Sequence, residues 1–247
     1  MKAIAAPKGA SLIVFDGDDT LWISEPLYNA ARKRAASVVG AQGLPAADWE
    51  RLQRKVDLAN AAHLGLSAQR FPLSCVTAYQ ILARVNGTKP AVEVEDEIRA
   101  VTCSLYQDHA PVVESAHRVL DELKGPYRLA LLTQGEHWVQ KLRVADSQLA
   151  DYFDDIEIVA KKSTDDFVRL MKLAQSKPEA SWSVGNSLAS DINPALDAGM
   201  NAIWIDAPVW EYERRETVMH AGTVLAAKSL ADVPTLLASA AKPLVEV

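Results

Sequence analysis

Five short apolar runs recur along the chain with helix-patterned segments between them: SLIVF at 11–15, YRLALLT at 127–133, IEIVA at 156–160, SWSVGN at 181–186 and NAIWID at 201–206. Runs of this length, bounded by turn residues, read as strands buried on both faces. Their alternation with helices leaves one architecture, an α/β fold with a doubly wound, Rossmann-like parallel sheet. The intervening periodicity predicts helices over 113–124, 136–145, 164–176, 190–199 and 229–239, and a weaker strand over 222–226. With 49% hydrophobic and 23% charged residues in 247, the chain has enough apolar material for such a core.

Between the first two strands the pattern changes. From Pro26 to about Asp108 the apolar spacing is helical, over 27–39, 47–64, 73–85 and 92–106, with no convincing strand. This predicts a helical domain (22–108) inserted into an α/β core formed by 1–21 and 109–247. Two tethers, near 22–26 and 109–111, would let the insertion move as a lid over the sheet edge.

The formal charge of −6 argues against a nucleic-acid or anionic-membrane partner, since both demand clustered positive charge. No stretch reaches the roughly 18 apolar residues needed to cross a bilayer, and the N-terminal apolar run breaks at once into acids, so the expected location is the cytoplasm. The two cysteines, Cys75 and Cys103, read as buried thiols, and the five histidines have no ligand spacing.

The residues able to do chemistry fall at strand ends. Phe15-Asp16-Gly17-Asp18-Asp19-Thr20-Leu21-Trp22 follows the first strand, and three carboxylates held together there call for a cation or a metal-bound phosphate. In open α/β sheets ligands bind at this edge. Thr133, Gln134 and Gly135 end the second strand, where a hydroxyl and free backbone N–H groups suit a phosphoryl oxygen; a threonine there is also an ordinary helix cap. Lys161 and Lys162 follow the third strand, and an ammonium there could neutralise charge shared by an aspartate and a phosphate. Gly185-Asn186-Ser187-Leu188-Ala189-Ser190-Asp191 follows the fourth, supplying an amide oxygen and a carboxylate, or simply a cap for the next helix.

Taken in that order, the four sites resemble the haloacid dehalogenase superfamily, in particular its phosphatase branch, and the insertion resembles that family's helical cap. The resemblance implies a magnesium-dependent phosphohydrolase with Asp16 as nucleophile and Asp18 as general acid/base. Thr20 would steady the phosphate-binding loop, Thr133 and Gln134 would hold the phosphoryl group, and Lys162 would bridge Asp16 and phosphate. Magnesium would be held by Asp16, Asp18 through its main-chain carbonyl, Asn186 and Asp191. Lys162 is preferred to Lys161 for its spacing from Phe167. The family's dehalogenases attack carbon and lack an acid at the position of Asp18, which therefore favours phosphate. Asn186 departs from the pattern, since an acid is usual there; its loss motivates a second reading as a catalytically weak binding or scaffold protein. A phosphoacceptor signalling domain would also place acids, a Thr and a Lys at a sheet edge, but needs about half this length and no insertion. The expected partner is a small phosphorylated metabolite, bound by a monomer or homodimer. Arg32, Arg34, His63, Arg70 and Tyr79 in the insertion, with Trp210 and Tyr212 after the last strong strand, are candidates for facing it.

Overall fold

The computed structural model describes residues 11–210 and 223–240. Six parallel strands, β1 (Leu12–Phe15), β2 (Arg128–Gln134), β3 (Asp155–Val159), β4 (Ser181–Gly185), β5 (Asn201–Ile205) and β6 (Val224–Ala227), form one sheet in the order β3-β2-β1-β4-β5-β6. The two-residue period of a strand shows directly in its packing. Ile13 and Phe15, with Leu129 and Leu131 beside them in register, enter one hydrophobic cluster, whereas Leu12, Val14, Ala130 and Leu132 enter another on the opposite face. Helices α5 (Ala116–Leu123) and α9 (Val233–Ala240) cover the first face, and α7 (Thr164–Ala174) covers the second. The chain leaves β1 toward β2 and β3, then returns to the other side of β1 as β4. That reversal opens a crevice at the carboxyl ends of β1 and β4, where ligands bind in sheets of this kind.

The predicted helix over 190–199 is built differently. Leu188–Ile192 forms a π-helical turn, and the α-helix α8 (Asn193–Asp197) begins only after it. Pro194 has no N–H to give a carbonyl one turn back, so an α-helical ladder cannot run through it from residue 190. The wider turn instead leaves Ser187 Oγ to accept from Ser190 N and Asp191 Oδ2 to accept from Ser187 N.

The insertion contains α1 (Glu25–Ala41), α2 (Ala46–Leu64), α3 (Arg70–Val85) and α4 (Val92–Cys103). It has its own apolar centre, with Trp49, Phe71, Leu82, Ile98 and Leu105 fully or nearly fully buried. Its two tethers pair with each other: Ile23 N donates to Pro111 O at 2.8 Å and Val113 N to Leu21 O at 2.9 Å. Trp22, between them, packs with the sheet's core rather than with the helices. Cys75 is buried, but Cys103 is exposed, contrary to the expectation of two buried thiols, because it ends α4 on the face away from that centre. No helix among the described residues is long and apolar enough to cross a membrane.

Candidate active site

Strand β1 delivers Asp16 to the crevice and anchors it there, with Asp16 N donating to Val184 O of β4 at 2.9 Å. The chain then turns tightly on the carbonyl of Gly17, which accepts from the amides of Thr20, Leu21 and Trp22. Glycine is required at this position, since a Cβ would lie 2.3 Å and 2.6 Å from two carbons of the Trp22 ring. Thr20 is buried within this turn, with no partner for its hydroxyl.

The three carboxylates of the loop do not share one cation. Asp19 adopts a left-handed backbone, φ 58°, and turns its side chain toward the insertion. There it accepts from Ser24 N (2.9 Å), Ser24 Oγ (2.8 Å) and Glu25 N (3.1 Å), so that it caps α1. Asp18 is held by three donors: Trp22 Nε1 at 2.8 Å, Gln140 Nε2 at 2.7 Å and the Arg143 guanidinium, which forms a salt bridge. Gln140 and Arg143 project from α6 (His137–Ser147), three residues apart and therefore on one face. Asp18 and Asp19 thus line the crevice with their carboxylates already partnered, whereas Asp16 faces Asp191, which comes from the turn after β4.

Lys162 lies between them. Its side chain is buried, and Nζ donates to Asp16 Oδ1 and to Asp191 Oδ1, each at 2.6 Å; Lys161 next to it is exposed. Two local devices fix the lysine. Its own N–H donates to Gln134 Oε1 at 3.1 Å, and α7 starts immediately after it with a reciprocal Ser163–Asp166 capping box. The π-helical turn brings Asp191 back over β4 so closely that a Cβ on Gly185 would lie 2.3 Å from its carboxylate. Burial, with Asp191 alongside, pushes Asp16 up to about 7 against the pull of Lys162. One ammonium therefore undercompensates the two acids.

The remaining predicted residues are placed less directly. Asn186 borders the crevice, and its Nδ2 donates to Pro208 O at 2.6 Å, leaving its amide oxygen as the group available to a cation. Thr133 is fully buried, and its hydroxyl donates to Gln140 Oε1 at 3.0 Å; through that amide it supports Asp18. The Gln134 side chain ties strand ends together, since besides accepting from Lys162 N it donates to Ser190 Oγ at 2.9 Å. Among the described residues no group of three or more His, Cys, Asp or Glu is set to hold a metal. The donors that border the crevice include the carboxylates of Asp16 and Asp191 and the amide oxygen of Asn186, which are hard oxygens of the kind magnesium takes.

Residues 10–199, well over half of the chain, match the family model of the haloacid dehalogenase-like hydrolases. The chain belongs to that family. Among its relatives is a glyceraldehyde 3-phosphate phosphatase of Methanothermobacter thermautotrophicus, 25% identical over 219 residues that cover 82% of this chain and 88% of the relative. A haloacid dehalogenase-like hydrolase from Xanthomonas campestris has the same fold with a TM-score of 0.79 and 23% identity, covering 95% of this chain and 97% of that one. A 2-haloacid dehalogenase from Pseudomonas syringae shares the fold at a TM-score of 0.59 and 20% identity, covering 93% of this chain and 99% of that one.

In this haloacid dehalogenase-like hydrolase the crevice continues into a cleft of about 930 Å³, open mouth included, between the core and the helical insertion. Of the insertion's candidates, Arg32 and Arg70 line it. Arg34 lies on the outside opposite Asp108 at 3.5 Å, His63 is exposed, and the buried Tyr79 uses its hydroxyl to accept from Ala91 N. Trp210 lines the cleft from the core side, whereas Tyr212 falls outside the described residues. Glu136, Gln140, Tyr28 and Asp57 also line it, and sequence patterns alone did not single them out. For Gln140 and Arg143 one signal existed, two long polar side chains on the same helical face directly after the Thr133 turn.

Proposed function

We propose that this hydrolase is a magnesium-dependent phosphatase of small phosphomonoesters that works through an aspartyl-phosphate on Asp16. The observation that carries the reading is the buried Lys162 ammonium, 2.6 Å from both Asp16 and Asp191 at the switch point of the sheet. A carboxylate can approach an anionic phosphoryl group only where positive charge screens the two, and the raised proton affinity of Asp16, where burial and Asp191 outweigh Lys162, supports a cation beside the lysine.

Asp16, the main-chain carbonyl of Asp18, Asn186 and Asp191 would hold the magnesium. When bound, it supplies the positive field that lets Asp16 approach the phosphoryl group. An Asp16 carboxylate oxygen attacks phosphorus, the ester P–O bond breaks, and the departing oxygen takes a proton from Asp18. Water then attacks the aspartyl-phosphate, gives its proton to Asp18, and the bond between phosphorus and Asp16 breaks to release phosphate. Gln140, Arg143 and Trp22, which bond Asp18, would orient its carboxyl group for these transfers. Asp18 also weighs against the carbon–halogen alternative, because a halide leaves without needing a proton. Phosphatase chemistry in the relative from Methanothermobacter points the same way.

Asn186 supports a second reading, a binding or scaffold protein of low activity, since it removes one charge from the cation site. Release of phosphate from p-nitrophenyl phosphate separates the two. Steady turnover with magnesium, abolished by chelation, is expected; no turnover at any magnesium concentration would leave the scaffold reading standing.

A further inference from the structure

Helix α6 serves both sides of the cleft. Toward the insertion, Val139 is buried in the helical domain's apolar cluster, and the Trp138 ring meets Tyr106 edge-on with centroids 6.0 Å apart. Toward the core, Gln140 and Arg143 bond Asp18. Tyr106 in turn meets Tyr28 of α1 edge-on at 6.3 Å, and Tyr28 meets Phe71 of α3 at 5.2 Å. These rings hold Tyr28 from two sides, and its hydroxyl comes to the Arg143 guanidinium without the alignment of a full hydrogen bond. Arg143 Nη1 goes to Asp18, whereas Nη2 is buried with no aligned acceptor. Tyr28 lines the cleft together with Asp18, and its helix is fastened to the loop after β1 a second time, where Glu25 N donates to Asp19.

We propose that Tyr28 is a positioning residue for Asp18: from the insertion its hydroxyl steadies the Arg143 guanidinium, and Arg143 sets the direction of the Asp18 carboxyl toward the departing oxygen. This rests on the phosphatase reading, in which Asp18 protonates that oxygen. A group that passes a proton must lie within hydrogen-bond reach of its target and point along the right line, so the side chains that hold it count toward rate. An arginine is long and rich in rotamers, and tied at one nitrogen it can still pivot. A second contact from another element takes that freedom away, and a chain of such contacts acts as a unit. The insertion thereby contributes to proton transfer in the core without touching the proton.

The test compares kcat/KM for p-nitrophenyl phosphate and phenyl phosphate in the presence of magnesium. The two esters are close in shape, but phenolate is the poorer leaving group and depends more on a proton. The ratio kcat/KM reports the reaction from free enzyme and ester through phosphoryl transfer, the step in which Asp18 acts as acid. Tyr28→Phe removes the hydroxyl and keeps the ring between Phe71 and Tyr106. It is expected to lower kcat/KM for phenyl phosphate about fivefold more than for p-nitrophenyl phosphate. Arg143→Gln should widen the gap between the esters at least as much, and adding Tyr28→Phe to it should change that gap by less than about twofold, because the two residues act in one chain. Arg143→Lys, which keeps the charge and loses the planar fork, serves if the glutamine variant does not fold. Equal losses on both esters, which direct contact of Tyr28 with substrate or a purely structural role would give, overturn the proposal, as do no loss at all or a further widening of the gap in the double variant. No phosphate release from either ester by the unsubstituted protein is a separate outcome and defeats the phosphatase reading on which the proposal rests.

Discussion

Asp16 is held at a cost to the fold. Asp16 has a folded-state value of about 7 against an ordinary 3.8, so the native protein binds this proton more tightly than the unfolded chain does. Its contribution to stability is therefore present below the unfolded value and is lost as pH rises through about 7. In metal-free protein Asp16→Asn, nearly the same shape and uncharged, should raise the melting temperature at about pH 8 and change it little near pH 4. The same variant should show no turnover with an unchanged circular dichroism spectrum; activity above about a tenth of the original would rule out Asp16 as nucleophile. Asn186→Asp returns a negative charge to the cation site and should lower the half-saturating magnesium concentration in the phosphatase assay. A magnesium requirement that does not move would show that Asn186 is not a ligand.

At the scale of elements, the strands and their order along the chain were legible because a strand buried on both faces can be made from little but apolar residues, and LIVF of β1 is the purest example; β3 departs from that expectation, since it lies at the sheet edge with Ile156 exposed. The positions of Asp16, Lys162 and Asp191 followed from strand ends. What was not legible was direction. Three consecutive-looking acids gave no sign that Asp19 turns back to cap α1 or that Asp18 is met by side chains more than a hundred residues away. Nor does periodicity distinguish a π-helical turn from the start of an α-helix, although Pro194 marks where the ladder must break. The capping box of α7 matters because Lys162 immediately precedes it. Asp166→Ala removes the acceptor of both Ser163 N (2.8 Å) and Ser163 Oγ (2.7 Å) and should destabilise the protein by about 1 kcal/mol. If the box also positions the lysine, kcat falls with it; unaltered kcat in a less stable protein would confine its role to the helix.

Across the whole molecule, the insertion touches the core at the neck, along α6, where Val139 joins the insertion's apolar cluster and Trp138 meets Tyr106 edge-on at 6.0 Å, and at the far rim, where Arg70 meets Trp210 and Ala68 N donates to Glu136 Oε2 at 3.3 Å. If the insertion moves as a lid it must part from α6 and the rim while the two tethers hold, so limited proteolysis should be fastest near 22–26 and 109–111 and slow when magnesium and beryllium fluoride are added together. Cleavage indifferent to both would count against a moving lid. The paired neck also bears on the order in which the chain can assemble. Strands β1 and β2 lie side by side, yet the whole insertion separates them along the sequence, and closing so long an open coil is slow. The helices of the insertion meet mostly their neighbours in sequence and can collapse early, and once Ile23 has found Pro111 the ends of β1 and β2 are already close. The insertion that walls the cleft in the finished protein would thus act during refolding as a splint that shortens the search for the central strand pair. Refolding should accordingly slow more for Trp49→Ala, at the centre of the insertion, than for an equally destabilising change in α9.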